Sequence, residues 1–150
     1  MTMVELMIVV TIVTTLTMFA APRFRALTQR SALRSSRQQV EAMIATARAA
    51  AIQKGRPAAF WVSGQQMGVR AVINDAGQTI DLVAPLRLDS LHRVKLTLGG
   101  SADTAIVFSP RGYATPRLGG KVIYQLRIGT RSDSTCVTSI GHILGQSCAT

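Results

Sequence analysis

The spacing of hydrophobic residues follows one rule before Pro22 and another after it. From Leu6 to Ala21 every residue is apolar or threonine and none is charged. Such a run has no distinguishable face, and Met1 to Ala21 has about the length that a membrane-crossing helix needs, roughly 20 apolar residues. After Pro22 a helical period sets in. At 100° per residue, Leu33, Val40, Ile44, Ala47 and Ala51 fall in one narrow sector, the mark of a helix with one apolar stripe to cover. Arg23, Arg30, Arg34, Arg37 and Arg48 fall in a second sector with Glu41 among them. Lys54-Gly55-Arg56-Pro57 supplies a stop signal after about Gln53. The pattern therefore predicts one helix of ~50 residues, about 75–80 Å long, apolar first and amphipathic second. Pro22 has no amide hydrogen and disfavours helix at the residue before it. A kink or unwound stretch between Thr14 and Pro22 is expected, its freed carbonyls taken up by Thr14, Thr15 and Thr17.

From Pro57 the period shortens to that of strands separated by turn signals. The expected strands are Ala58–Val62, Gln66–Ile73, Thr79–Val83, Arg93–Leu98, Thr104–Phe108, Lys121–Ile128, Thr135–Ile140 and Ile143–Gly145. Asn74-Asp75-Ala76-Gly77, Gly99-Gly100, Ser109-Pro110-Arg111-Gly112 and Gly119-Gly120 break them. The expected fold class is α+β, a long N-terminal helix packed against antiparallel β-sheets. Residues 1–22 would form the hydrophobic segment, 23–54 the amphipathic half of the helix and 55–150 a β-rich domain.

Composition narrows the class. Hydrophobic residues make up 47% and charged residues 16%, and 17 Lys+Arg against 7 Asp+Glu leave a formal charge of +10. Such a charge favours anionic partners or surfaces without specifying a fold. An apolar end on an otherwise soluble chain fits neither a free cytosolic enzyme nor a polytopic membrane protein. The histidines, His92 and His142, stand in no HxH, HExxH or CxxC context, and GxSxG, GxGxxG and P-loop signatures are missing. Catalysis, metal and cofactor are not expected.

Glu5 is the informative polar residue. A carboxylate inside a bilayer costs about 2.5–3.5 kcal/mol on the lenient insertion scale, so it needs a partner or a place at the headgroups. The α-amino group of Met1 lies four residues away, on the same helix face. The amino terminus of a neighbouring copy is the other cation within reach, and that option would register one subunit on the next.

Cys136 and Cys148 stand in the last fifteen residues of the chain. In an oxidising compartment they would close a short loop contributing roughly 3 kcal/mol. In a reducing one they would be two thiols without metal-site spacing. The membrane segment argues for export and so for the disulfide. Three readings of the arginine row stay open: a solvated face, pairing with acidic residues of a neighbouring subunit, or contact of Arg23, Arg30, Arg34 and Arg37 with nucleic acid or anionic lipid. Only Phe24 interleaves it with an aromatic ring, which weakens the case for nucleic acid.

The opening MTMVELMIVVTIVTTL resembles the mature N-terminus of type IV pilins and type II secretion pseudopilins. Met1, Thr2, Glu5 and Leu6 fall in register with that pattern, and Pro22 sits where many such pilins carry a helix-breaking proline. Further on, Ala47 to Ile52, Gly55-Arg56-Pro57, Ile106-Val107-Phe108-Ser109-Pro110-Arg111-Gly112 and Ile140-Gly141 resemble the GspH/FimT-type pseudopilin domain. The resemblance implies a structural subunit of a bacterial type IV-like filament. It would assemble with itself as a helical homopolymer and with other pilins or pseudopilins, with Met1, Glu5 and Pro22 as assembly residues. It further implies a prepilin peptidase acting on a precursor with a basic leader, which this sequence lacks, and an inner-membrane assembly platform. The chain would wait in the bacterial inner membrane with its C-terminal domain in the periplasm, then enter an extracellular or periplasmic filament. The cysteine pair resembles the disulfide-bounded terminal region of many major pilins. Two related roles remain: a minor pseudopilin of a type II secretion pseudopilus, and a DNA-binding minor pilin for DNA uptake. Some GspH/FimT-type members bind DNA through a terminal Gly-Arg-x-Arg. The matching stretch here, Gly141-His142-Ile143-Leu144, has neither arginine, so that site is not carried over.

Overall fold

The structure, a computed structural model, describes residues 2–98, 103–115 and 121–145, apart from the side chains of residues 19–23, 98, 103, 104 and 121. The chain divides into two compact units, Met1–Ser31 and Ala32–Thr150. A single helix, α1, spans Met3–Lys54 (52 residues). The expected unwinding between Thr14 and Pro22 does not occur: helix is continuous through both positions. The threonine hydroxyls show why the run tolerates them. Thr14 donates to the carbonyl of Val10 at 2.7 Å, Thr15 to that of Thr11 at 2.9 Å and Thr17 to that of Val13 at 2.7 Å. They add to carbonyls already in the helix ladder and do not replace it. The helix ends where the sequence places the stop, with Gly55 at φ +61° donating its N–H to the carbonyl of Ile52.

In the second unit one face of α1 is the spine of the core. Leu33, Val40, Ile44, Ala47 and Ala51, the five expected inward positions, are all buried, with Ser36, Met43 and Ala50 beside them. Two antiparallel sheets complete the unit. The first has the order β3-β2-β1-β5-β6 and the second β4-β7-β8-β9. Their strands are β1 (Ala58–Ser63), β2 (Gln66–Val72), β3 (Thr79–Arg87), β4 (Lys95–Leu98), β5 (Asp103–Phe108), β6 (Ala114–Thr115), β7 (Lys121–Ile128), β8 (Arg131–Thr138) and β9 (Ile143–Gly145). Alternation in β1, with Ala58, Phe60 and Val62 buried, aims one face of the first sheet inward. Tyr124 of β7 meets Phe60 of β1 edge-on, at 5.5 Å between centroids and 71° between planes, so the two sheets share one core.

Three boundaries differ from expectation by two residues or more, and the two-residue strand β6 is not among those expected. β3 runs on to Arg87, past Pro85. It is an edge strand, and its register skips residues 84 and 85, so the missing N–H of the proline costs no ladder bond. The expected strand start at Arg93 is instead the end of a short helix, α2 (Leu88–His92), which Arg93 caps in the left-handed region at φ 55°. Burial of Leu88 holds that turn down. The strand expected at Thr135–Ile140 begins four residues earlier at Arg131 and ends at Thr138, because Gly141 at φ +75° needs the preceding residues for its turn.

Candidate subunit assembly site

The first unit carries the segment to which the sequence points. Thr2 and Glu5 cap the start of α1 reciprocally. The Thr2 N–H donates to Glu5 Oε2 and the Glu5 N–H to Thr2 Oγ1, each at 3.4 Å. This is a capping box, Thr-x-x-Glu at the N-cap and third helical positions, and its long distances mark it as weak. The spelling Thr2-Met3-Val4-Glu5 carries that signal, which the sequence reading passed over in favour of charge pairing. Glu5 is exposed. Met1, its expected partner, lies outside the described residues, as do the side chains of Pro22 and Arg23.

From Met3 to Met18 the large apolar side chains are 48–83% exposed. A helix that is apolar on every side has no water-facing surface of its own. Thr11, Thr14, Thr15 and Thr17 do not interrupt it, since each hydroxyl bonds to a carbonyl of the preceding turn and leaves its methyl group outward. Among the described residues no helix is long and apolar enough to cross a membrane.

The arginine row separates into free and engaged members. Arg30 and Arg34 are exposed. Arg37 is taken up inside the second unit: its guanidinium lies 3.6 Å from Glu41 and 3.3 Å from Asp133 of β8. Glu41 in turn accepts a bond from the Thr135 hydroxyl at 3.2 Å. Arg48, about three helical turns beyond Arg37, donates to the carbonyl of Gly141 at 3.1 Å. No sequence signal links Arg37 to Asp133, which stand 96 positions apart, beyond the reach of local spacing; the fold alone brings helix and strand together.

Gly141 opens the stretch that matches the family's DNA-binding tail. A Cβ there would come within 2.6 Å of the Gly112 carbonyl oxygen and 3.1 Å of Arg48 Nε, so this glycine is a packing element between two turns and the helix. His142 is exposed, and no cluster fit for a metal ion occurs among the described residues. Cys136 is disulfide-bonded, while Cys148 lies outside the described residues.

The family model for type II transport protein GspH matches residues 36–141. This chain belongs to the GspH family. Its fold is shared by the type IV minor pilin FimU of Pseudomonas aeruginosa in two crystal forms. One matches with a TM-score of 0.61 at 15% identity, covering 79% of this chain and 91% of FimU. The other matches with a TM-score of 0.54 at 17% identity, covering 75% and 91%. No curated protein matches the chain in sequence. As a GspH-family protein it is a structural subunit of the pilin and pseudopilin kind, which assembles with other pilins in a filament.

Proposed function

We propose that this GspH-family chain is a minor pseudopilin, a low-copy subunit that enters a type IV-like filament through the first half of α1. The observation that carries this reading is the exposed apolar surface from Met3 to Met18. Each such side chain gains about 1.5–3 kcal/mol when withdrawn from water, so the segment rests in lipid before assembly and among neighbouring helices after it. The inward-turned threonine hydroxyls support that cycle, since they need no partner in an apolar medium. Glu5 then has two roles in sequence. In the single subunit it closes the cap with Thr2; in the filament its carboxylate meets the amino group of a neighbour's first residue. Pairing of Cys136 with Cys148, the other cysteine of the chain, closes the C-terminal loop in an oxidising compartment. The precursor passes a prepilin peptidase and an inner-membrane platform.

Charge favours a minor place over the body of a homopolymer. Each added copy would bring +10, and like charge stacked on like charge opposes compact assembly. The test is fractionation of cells with the filament motor active and inactive. The chain should sediment with the inner membrane when assembly is blocked and appear in sheared filaments, far below the main subunit in amount, when it is active. Recovery as a soluble protein in both states would overturn the reading.

A further inference from the structure

The salt bridges of the second unit bind all but one of its acids and leave unpaired cations on both faces at one end of the second sheet. Asp75 is held by Arg56, Asp81 by Arg70, Asp89 by Arg87, and Glu41 and Asp133 by Arg37. The Arg87 hydrogen bond also keeps the Asp89 carboxyl below the usual carboxylate range. The remaining acid of this unit, Asp103, opens β5 in the first sheet, and its side chain lies outside those described.

The free cations gather by register. Lys95 of β4 stands directly opposite Arg127 of β7, and both are exposed. Directly opposed residues of antiparallel strands share a face, and like charges there weaken the sheet. Arg127 is followed by the turn at Gly129 and Thr130 and then by Arg131, which pairs with Ile128. Along β8, Thr135 bonds Glu41 and Asp133 bonds Arg37. The next residue on that face of the strand is Arg131, on the opposite face from Lys95 and Arg127, and Arg34, about one turn before Arg37 on α1, is exposed. The ladder of opposite charges thus ends in two cations, with Arg93 two residues ahead of Lys95. Among the described residues no acid offsets Arg34, Arg93, Lys95, Arg127 or Arg131.

We infer that this basic end is a docking surface for a neighbouring filament subunit of different sequence that presents unpaired Asp and Glu side chains. The inference rests on the minor-pseudopilin reading and names the partner. A second copy fits less well, because the described acids of its second unit are already bound by its own arginines and Glu5, in the first unit, is tied to the Thr2 cap. Nucleic acid is less favoured, since the exposed rows beside these cations carry Thr97, Gln125, Ser132 and Ser134 and no aromatic ring for stacking.

The experiment places a photo-cross-linking amino acid at Thr130 of the full chain in its own cells, with a second probe at Leu16 as reference. The expected product at Thr130 is a heterodimer with a different pilin-type chain of net negative charge. Lys95→Glu turns the like-charged pair with Arg127 into an opposite one. It should leave thermal stability unchanged or raised while lowering that cross-link by about tenfold; a purely structural surface would move both together. A Thr130 product with a copy of the chain, with lipid or with nucleic acid overturns the inference, as does a yield unaffected by Lys95→Glu. If Leu16 captures a pilin-type neighbour and Thr130 none, the docking surface alone fails. If Leu16 captures no pilin-type chain, the proposed function fails.

Discussion

Arg48 and Gly141 hold the helix to the end of the second sheet: the guanidinium Nη1 donates to the glycine carbonyl at 3.1 Å, on a residue whose φ of +75° leaves no room for a side chain. Gly141→Ala would strain the left-handed backbone by about 1–2 kcal/mol and drive a methyl group to 2.6 Å from the Gly112 carbonyl. The expected cost is about 2–4 kcal/mol, read as a fall in thermal midpoint. Gly77→Ala, at a positive φ with nothing within 4 Å, should show the backbone strain alone.

Arg37 and Asp133 form the charged seam between α1 and β8, with side chains only 15% and 20% exposed. Asp133→Asn should destabilise by about 1–3 kcal/mol, because Arg37 keeps Glu41 but loses its second anion. Replacing both residues with apolar ones of similar size should recover most of the loss. A double-variant loss equal to the sum of the two single losses, measured by denaturant unfolding, would show that the pair is not coupled.

Tyr124 is fully buried and its hydroxyl has no hydrogen-bond partner among the described residues. Burial raises its pKa well above the ordinary phenol value. The folded state therefore keeps a proton that the unfolded chain releases above pH ~10, and stability falls as pH rises beyond that point, by about 1.4 kcal/mol per unit. Tyr124→Phe should be neutral or stabilising at pH 7 and should flatten that alkaline slope.

Glu5→Gln separates the cap from the charge. The amide can still accept the Thr2 N–H, so helix formation and membrane retention should persist while incorporation into filaments falls. Thr2→Ala should do the reverse at the helix start, costing about 0.5–2 kcal/mol of capping read as faster amide exchange in the first turn. Normal filament incorporation of Glu5→Gln would remove the charge from the assembly mechanism.

Gly68 faces Trp61 across β1 and β2, and a Cβ there would sit 2.8 Å from the indole. Arg70, two residues further along β2, stacks on the indole at 5.4 Å from the ring centroid. Gly68→Ala should push the ring outward and break the stack. The chain has 1 tryptophan, so a red shift of its fluorescence reports the change directly; an unshifted spectrum would mean that the sheet itself yields instead.

Periodicity and breakers alone determined α1, its buried stripe from Leu33 to Ala51, and eight of the nine described strands to within four residues, because these depend on neighbours three or four positions away, or two. The charge-free run from Leu6 to Ala21 was equally legible, since such a run needs no fold to be recognised. What the tertiary structure decided is which charges are spent. Arg30, Arg34, Arg37 and Arg48 are alike on a helical projection, yet Asp133 takes up Arg37, Gly141 takes up Arg48, and Arg30 and Arg34 remain exposed. Those partners are brought in by sheet register from far along the chain, and the passage of β3 beyond Pro85 depends likewise on its place at a sheet edge. Local spacing carries the period of an element; only packing chooses what stands opposite it.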